Sequence, residues 1–176
     1  MGESSDFPLI SLNISYKIPQ SILAVIYTKD LDVLLIERAD RPGFWQSVTG
    51  SRDSLSEKLE ETAIREIFEE TGITVVDTIT DPAPSSRQVQ KRYLTDWQIE
   101  HEFEIFSVWR HRFAPGVTMN TEHVFGLQVP TTFDVVLEPT EHLNAMWLPW
   151  REAAAKCFSW TNREAIEALP MHVITD

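Results

Sequence analysis

Apolar residues run without a break from Ile22 to Tyr27, which predicts a strand buried on both faces. Thr28-Lys29-Asp30-Leu31-Asp32 then reads as a turn and Val33 to Glu37 as a second strand, together a hairpin. Asp40-Arg41-Pro42-Gly43 breaks the pattern, and Trp45 to Thr49 forms a short strand. The period then changes. Ile64, Ile67 and Phe68 recur on one side of a helix expected from about Ser56 to Glu70, with Ser54 or Ser56 as N-cap and Gly72 as its stop. Asp81 to Arg87 is a loop, and the stretch from there to about Asp96 carries no assigned role. Trp97 to His111 alternates as one long strand, which would set Arg110 and Arg112 on a shared face; Glu122 to Val129 is another strand and Ala145 to Leu148 a short one. Arg151 to Phe158 and Asn162 to Leu169 read as helices separated near Ser159-Trp160-Thr161. Residues 1–13 form a loose extension and 14–176 a single domain of α/β or α+β class.

Composition narrows the class. With 176 residues, 43% hydrophobic and 24% charged, the chain is sized and balanced for one soluble globular domain. No apolar run reaches the roughly 18 residues that suggest a membrane span. The start, Met1 to Asp6, is acidic and lacks a signal peptide's apolar region, and Asp6 stands where myristoylation needs Ser or Thr. Cys157 is the only cysteine, so neither an internal disulfide nor a cysteine metal cluster is expected, and a small buried side chain is its reading. These features predict a cytoplasmic protein without membrane partners. The net charge of −12 opposes a surface for long nucleic acids. It opposes a triphosphate ligand as well, unless divalent metal inverts the local charge.

That exception has candidates. Glu66, Glu69 and Glu70 stand at i, i+3 and i+4, within roughly a 100° arc of the helix surface. Like charges at this spacing repel, and a hard, oxygen-seeking cation such as Mg²⁺ offsets the repulsion. A glutamate-rich helix is also a common solvated face. The three carboxylates alone favour that second reading; the full pattern from Glu57 to Ile73 and the resemblance it carries, with Gly72 as helix stop and an apolar opposite side, turn the balance to a metal site. Arg65 can pair with Glu61 or Glu69 and hold the face in place. Glu57 lies nine residues before Glu66, about 180° away on an unbroken helix, and joins the site only from the loop before it.

From Glu57 through Arg65-Glu66-Ile67-Phe68-Glu69-Glu70-Thr71-Gly72-Ile73 the chain resembles the Nudix box. One departure precedes it: six residues separate Gly50 from Glu57, where the pattern has five. Flanking phrases, among them Phe44 to Gly50, Phe103 to Ser107, Arg110 to Thr118, Asn120-Thr121-Glu122, Thr140 to Leu143 and Ser159 to Glu167, resemble the bacterial dihydroneopterin triphosphate pyrophosphatase branch over most of residues 16–168. Against that branch, the stretch from Asp81 to about Asp96 is long.

The resemblance implies the Nudix fold, a mixed sheet between helices, with Mg²⁺ (Mn²⁺ as a substitute) as cofactor. It implies Glu66 and Glu70 as metal ligands, Glu69 as ligand or base, Glu57 and Arg65 within the catalytic set, the Gly50 carbonyl on the metal, and Glu141 as a further ligand. His142 beside it is an acid–base candidate or a packing histidine. The positions it marks for substrate are Lys17, Arg38, Thr49, Phe103, Glu104, Ile105, Phe106 and Asn162. Lys17 and Arg38 suit phosphate oxygens, Thr49 and Asn162 polar groups, and the Phe103 to Phe106 segment a flat pterin or purine. Trp45 is a further aromatic candidate, with core packing its default among six tryptophans. The implied activity cuts a small triphosphate, 7,8-dihydroneopterin triphosphate before dATP, to a monophosphate and pyrophosphate in folate synthesis. Dinucleoside polyphosphates, nucleotide sugars and a non-catalytic nucleotide-binding module are the competing readings.

Overall fold

The computed structural model describes residues 15–80, 83 and 87–175. The expected extension over residues 1–13 and most of the Asp81 to Arg87 loop lie outside them. Twelve elements follow in order: β1 (Gln20–Thr28), β2 (Asp32–Arg38), β3 (Trp45–Gln46), β4 (Val48–Ser51), α1 (Leu59–Thr71), β5 (Thr74–Val76), β6 (Gln88–Gln90), β7 (Leu94–Glu104), β8 (Met119–Val129), β9 (His142–Pro149), α2 (Trp150–Lys156) and α3 (Trp160–Ala168). A seven-stranded mixed sheet runs β3-β2-β1-β8-β7, with β4 added to β1 and β9 to β2. β5 and β6, not foreseen from the sequence, pair parallel in a small second sheet.

The unbroken apolar run of β1 is explained by helices on both faces. Ile22, Ala24 and Ile26 pack in one core with Ala63 and Ile67 of α1. Leu23, Val25 and Tyr27 pack in the other with Ala153, Cys157, Ala165 and Ile166 from the α2–α3 side. Alternate residues of one central strand therefore anchor two layers of helix.

Three expectations need correction. α1 begins at Leu59 rather than near Ser56. Ser54 instead closes the preceding turn, its Oγ accepting from Glu57 N at 3.1 Å, while the Glu61 carboxylate accepts from Lys58 N at 2.9 Å. Gly72 does end the helix, with φ 70° and its N–H donated to Phe68 O at 2.8 Å. Second, Phe68 is 55% exposed. The buried side of α1 is Thr62, Ala63, Ile67, Glu70 and Thr71, so the helix turns part of its acidic face inward.

Third, the strand expected over Trp97 to His111 spans Leu94–Glu104 and gives way to a 3₁₀ helix over Ser107–Arg112. Arg110 stops the strand: its Nε donates to Ile105 O at 3.0 Å and its guanidinium pairs with Glu104. Arg110 and Arg112 consequently do not share a strand face. Within β7 a bulge separates Asp96 from Glu100, and Gln98 takes φ 56° there, its N–H donated to Asp96 Oδ1 at 2.8 Å.

Candidate active site

The strand β4 separates two chemically different regions. It pairs with β1 through Ile22↔Gly50 and Leu23↔Thr49, so Gly50 faces α1 and Thr49 the opposite side. Gly50 is where the acidic helix comes closest. A Cβ there would overlap the carboxyl carbon of Glu66, so only glycine leaves space for that side chain. Gly50→Ala is expected to lower turnover by about 100-fold by displacing Glu66 from its seat. The same change should cost about 1–3 kcal/mol of stability through overpacking. Paired kinetics and thermal melts check this, and unchanged turnover would remove Glu66 from the reacting centre.

Burial divides the three glutamates. Glu70 is 4% exposed, the Glu66 side chain 12% and the Glu69 side chain 53%. Glu70 Oε2 accepts from Thr49 N at 3.3 Å, and Oε1 lies 3.2 Å from His142 Nε2. Burial raises the Glu70 pKa and the charge of Glu141 adds to the rise, against the stabilising His142 and Thr49 contacts. Glu66 is pushed up to about 7, chiefly by burial, with Arg65 opposing the shift and Glu70 and Glu69 reinforcing it.

Arg65 ties this face to the loop before the helix. Its guanidinium contacts Glu57 at 2.9 Å, Glu66 at 2.7 Å and Glu69 at 3.2 Å, and donates to Ser51 O at 3.0 Å. The pairing with Glu69 is one of the two expected; Glu61 is instead engaged at the helix start. Glu57 lies before the first turn of α1, in the loop position its participation requires. The Arg65 hydrogen bond holds its carboxyl below the ordinary value. The extra residue between Gly50 and Glu57 is accommodated in an exposed loop, where Arg52 donates to Leu55 O and Asp53 N donates to Glu57 Oε2 at 2.7 Å.

Glu70, Glu141 and His142 bring ligand atoms within 4.8 Å of one another. Both ring nitrogens of His142 are buried; Nδ1 has no partner, and Nε2 has only the 3.2 Å ion-pair contact to Glu70, which lacks hydrogen-bond geometry. The buried carboxyl of Glu70, its pKa raised, beside the exposed carboxylate of Glu141 and the buried imidazole of His142 makes an arrangement that a divalent cation would relieve. The residues present therefore fit a metal. The abundance of carboxylate oxygen over nitrogen suits a hard cation.

On the other side of β4 lies a cavity of about 430 Å³. Lys17, Arg38, Thr49, Phe103, Glu104, Ile105, Phe106 and Asn162 all line it. Trp109, Phe158 and Trp160 supply more aromatic wall. Arg38 is held by Asp40 at 2.7 Å, and its guanidinium lies over the Trp109 ring, 4.9 Å from the centroid. Asn162 is anchored: Oδ1 accepts from Ser47 N at 2.7 Å and Nδ2 donates to Ser47 Oγ at 2.9 Å, fastening α3 to the β3–β4 junction. It can contact a ligand only beside or in exchange for those bonds. Trp45 is buried in the core against Ala154 and Cys157, the packing role that was its default.

Sequence reasoning did not single out Glu122 and His101, which face each other across β8 and β7. The signal for Glu122 was a carboxylate at the head of an apolar strand. None existed for His101, because the bulge at Gln98 shifts the alternation: the buried residues of β7 are Leu94, Trp97 and His101, never two apart.

This layout, a glutamate helix against one face of a mixed sheet and a ring-sized cavity on the other, defines a family. The chain belongs to the Nudix hydrolases, the NUDIX domain matching residues 17–169. It is 47% identical over 153 residues to a protein of Escherichia coli (strain K12) named dihydroneopterin triphosphate diphosphatase, covering 86% of this chain and 92% of that one. A Haemophilus influenzae protein of the same name is 40% identical over 157 residues, 89% of this chain and 90% of the relative. The solved structure of the E. coli dihydroneopterin triphosphate pyrophosphohydrolase superposes with a TM-score of 0.72 at 44% identity, covering 89% of this chain and 98% of that one. Among the described residues, no helix is long and apolar enough to cross a membrane.

Proposed function

We propose that this protein is a Mg²⁺-dependent pyrophosphohydrolase that cuts 7,8-dihydroneopterin triphosphate to dihydroneopterin monophosphate and pyrophosphate, with dATP as a secondary substrate. The observation that carries the proposal is the double role of Thr49: its backbone N–H is donated to Glu70 while the residue lines the aromatic cavity. A ligand with its ring in that cavity would extend its phosphates past β4 toward the carboxylates. Relatives named for this substrate, at 40–47% identity over most of the chain, support the same reading.

In this reading the ring lies between Phe106 and Trp160, both half-exposed at the cavity. Lys17 and Arg112 face the same cavity and attract phosphate oxygens, and the paired Arg38 adds a fixed positive group. Glu66, Glu70 and Glu141 would hold Mg²⁺, or Mn²⁺ in its place, with the Gly50 carbonyl beside Glu66. When bound, the cation supplies charge neutralisation at the phosphate and acidifies water. Glu69, the most exposed of the three helix carboxylates, takes the proton of the attacking water. That water adds to the α-phosphorus, the bond from phosphorus to the bridging oxygen breaks, and pyrophosphate leaves. Arg65 keeps Glu57, Glu66 and Glu69 in register throughout. The proposal assigns the protein to folate synthesis in the cytoplasm.

Pyrophosphate release is the test, with dihydroneopterin triphosphate, dATP and other nucleotides compared under Mg²⁺ and under EDTA. Fast, EDTA-sensitive release favouring the pterin is expected. Preference for dATP would move the biology to nucleotide metabolism. No release from any substrate would overturn the proposal and redirect the search to dinucleoside polyphosphates, nucleotide sugars or a binding role.

A further inference from the structure

Glu122 lines the cavity from the sheet side, 5% exposed, on the strand that pairs with both β1 and β7. Its cross-strand neighbours are Ser21 and His101. Glu122 Oε1 is buried and accepts no hydrogen bond; the nearest cationic candidate, His101 Nδ1, stands off at 3.8 Å and is itself buried without a hydrogen bond. His101 is occupied elsewhere: Nε2 lies 3.5 Å from Glu164, and the ring meets Trp160 edge-on at 5.3 Å between centroids. Ser21 Oγ accepts from Asn120 Nδ2 at 2.7 Å. A buried carboxylate oxygen with no protein hydrogen bond, on a residue that lines an aromatic-walled cavity, is a costly arrangement that a ligand's donors would relieve.

We propose that Glu122 is a specificity-determining residue, reading the paired N–H donors of a 2-amino-4-oxopyrimidine edge, and so selecting pterin and guanine rings over adenine. This assignment rests on the reading that the cavity takes the ring of the substrate. An ionised carboxylate only accepts hydrogen bonds. The pterin edge presents the ring N3–H next to the 2-amino group, two parallel donors that match two carboxylate oxygens. The adenine edge presents one donor, the 6-amino group, beside an acceptor, N1. Placing N1 against Glu122 sets two acceptors face to face, the repulsive element that specificity needs as much as the attractive one.

Glutamine inverts the pattern with almost no change in shape, since its amide offers one acceptor and one donor. It matches adenine and opposes N3–H of the pterin. Wild type, Glu122→Gln and Glu122→Asp are compared for pyrophosphate release from dihydroneopterin triphosphate, GTP and dATP at fixed Mg²⁺. Glu122→Gln is expected to lower kcat/KM for the pterin and for GTP by about 100-fold, the effect of losing a hydrogen bond to a charged group, mostly through KM. It should raise kcat/KM for dATP. Glu122→Asp keeps the charge but withdraws it from the ring, and should lower the first two without helping dATP. A parallel loss for all three substrates, or no loss for any, would overturn the assignment and leave Glu122, His101 and Glu164 as a structural cluster.

The wild-type preference alone judges the proposed function. Even if wild type rejects the pterin, the GTP-to-dATP ratio in Glu122→Gln still judges Glu122. If no substrate is cleaved, quenching of tryptophan fluorescence by neopterin decides, since Trp109 and Trp160 line the cavity. Binding about 100-fold weaker in Glu122→Gln supports the assignment, and equal binding or none by either protein overturns it.

Discussion

Glu70→Gln is expected to lower turnover by about 10³-fold or more while the protein stays folded, because in the proposed site one buried carboxylate would hold the cation as well as fix β4 against α1. The glutamine retains an oxygen for the Thr49 N–H, so the strand contact survives. What is lost is the charge. In the metal-free protein that charge is a burden: Glu70 is almost fully buried, and Glu141 repels it. The thermal midpoint under EDTA should therefore stay level or rise, the opposite of the activity. This divergence separates a functional carboxylate from a structural one. Activity within tenfold of wild type would exclude Glu70 from the metal site. A collapse of the midpoint alongside the activity would make it a packing residue.

The same opposition between stability and chemistry explains which parts of the fold were legible in the sequence. Elements whose local signals agree with their tertiary role were readable: the two-sided burial of β1, the turn after Thr28, the stop at Gly72. Misjudged features involve long-range contacts. Nothing local says that Arg110 turns back to cap the end of β7, or that Phe68 stays in solvent while Glu70 goes inward. The inward turn of the carboxylates depends on Gly50, twenty residues upstream of Glu70 and brought beside Glu66 only by the β1–β4 pairing. The spacing of Glu66, Glu69 and Glu70 predicts a shared face but not its burial, and burial sets the electrostatics. The cavity is similar. Its residues come from six separate strands, the segment after β7 and α3, and their convergence came from family resemblance rather than from any periodicity. The glutamate facing its interior, Glu122, reads in sequence only as the first residue of a strand.

Without metal, the protein is expected to lose stability as pH rises from about 5 to 8, by up to about 3 kcal/mol from Glu66 alone. The sign follows from the direction of the shift. Glu66 has an ordinary value of 4.5 and is pushed up to about 7 in the folded chain, so between these values the folded state binds the extra proton. Its contribution is fully present below 4.5 and is lost as pH rises through about 7. Glu70, also raised, acts in the same direction. Glu57, lowered by Arg65, acts oppositely, its contribution lost only in acid as pH falls through its depressed value. A divalent cation binds the ionised carboxylates and should reverse the slope, since its binding displaces their protons. Melts at pH 5.5 and 8, each with EDTA and with excess Mg²⁺, make the comparison. The midpoint under EDTA should fall toward pH 8, and the gain from Mg²⁺ should be small at pH 5.5 and large at pH 8. Glu66→Gln should flatten much of the EDTA slope, because the neutral amide occupies the same seat beside Gly50 without a proton to lose. A level wild-type profile under EDTA would mean that Glu66 is ionised at no cost, and that the inward face of α1 does not need the cation.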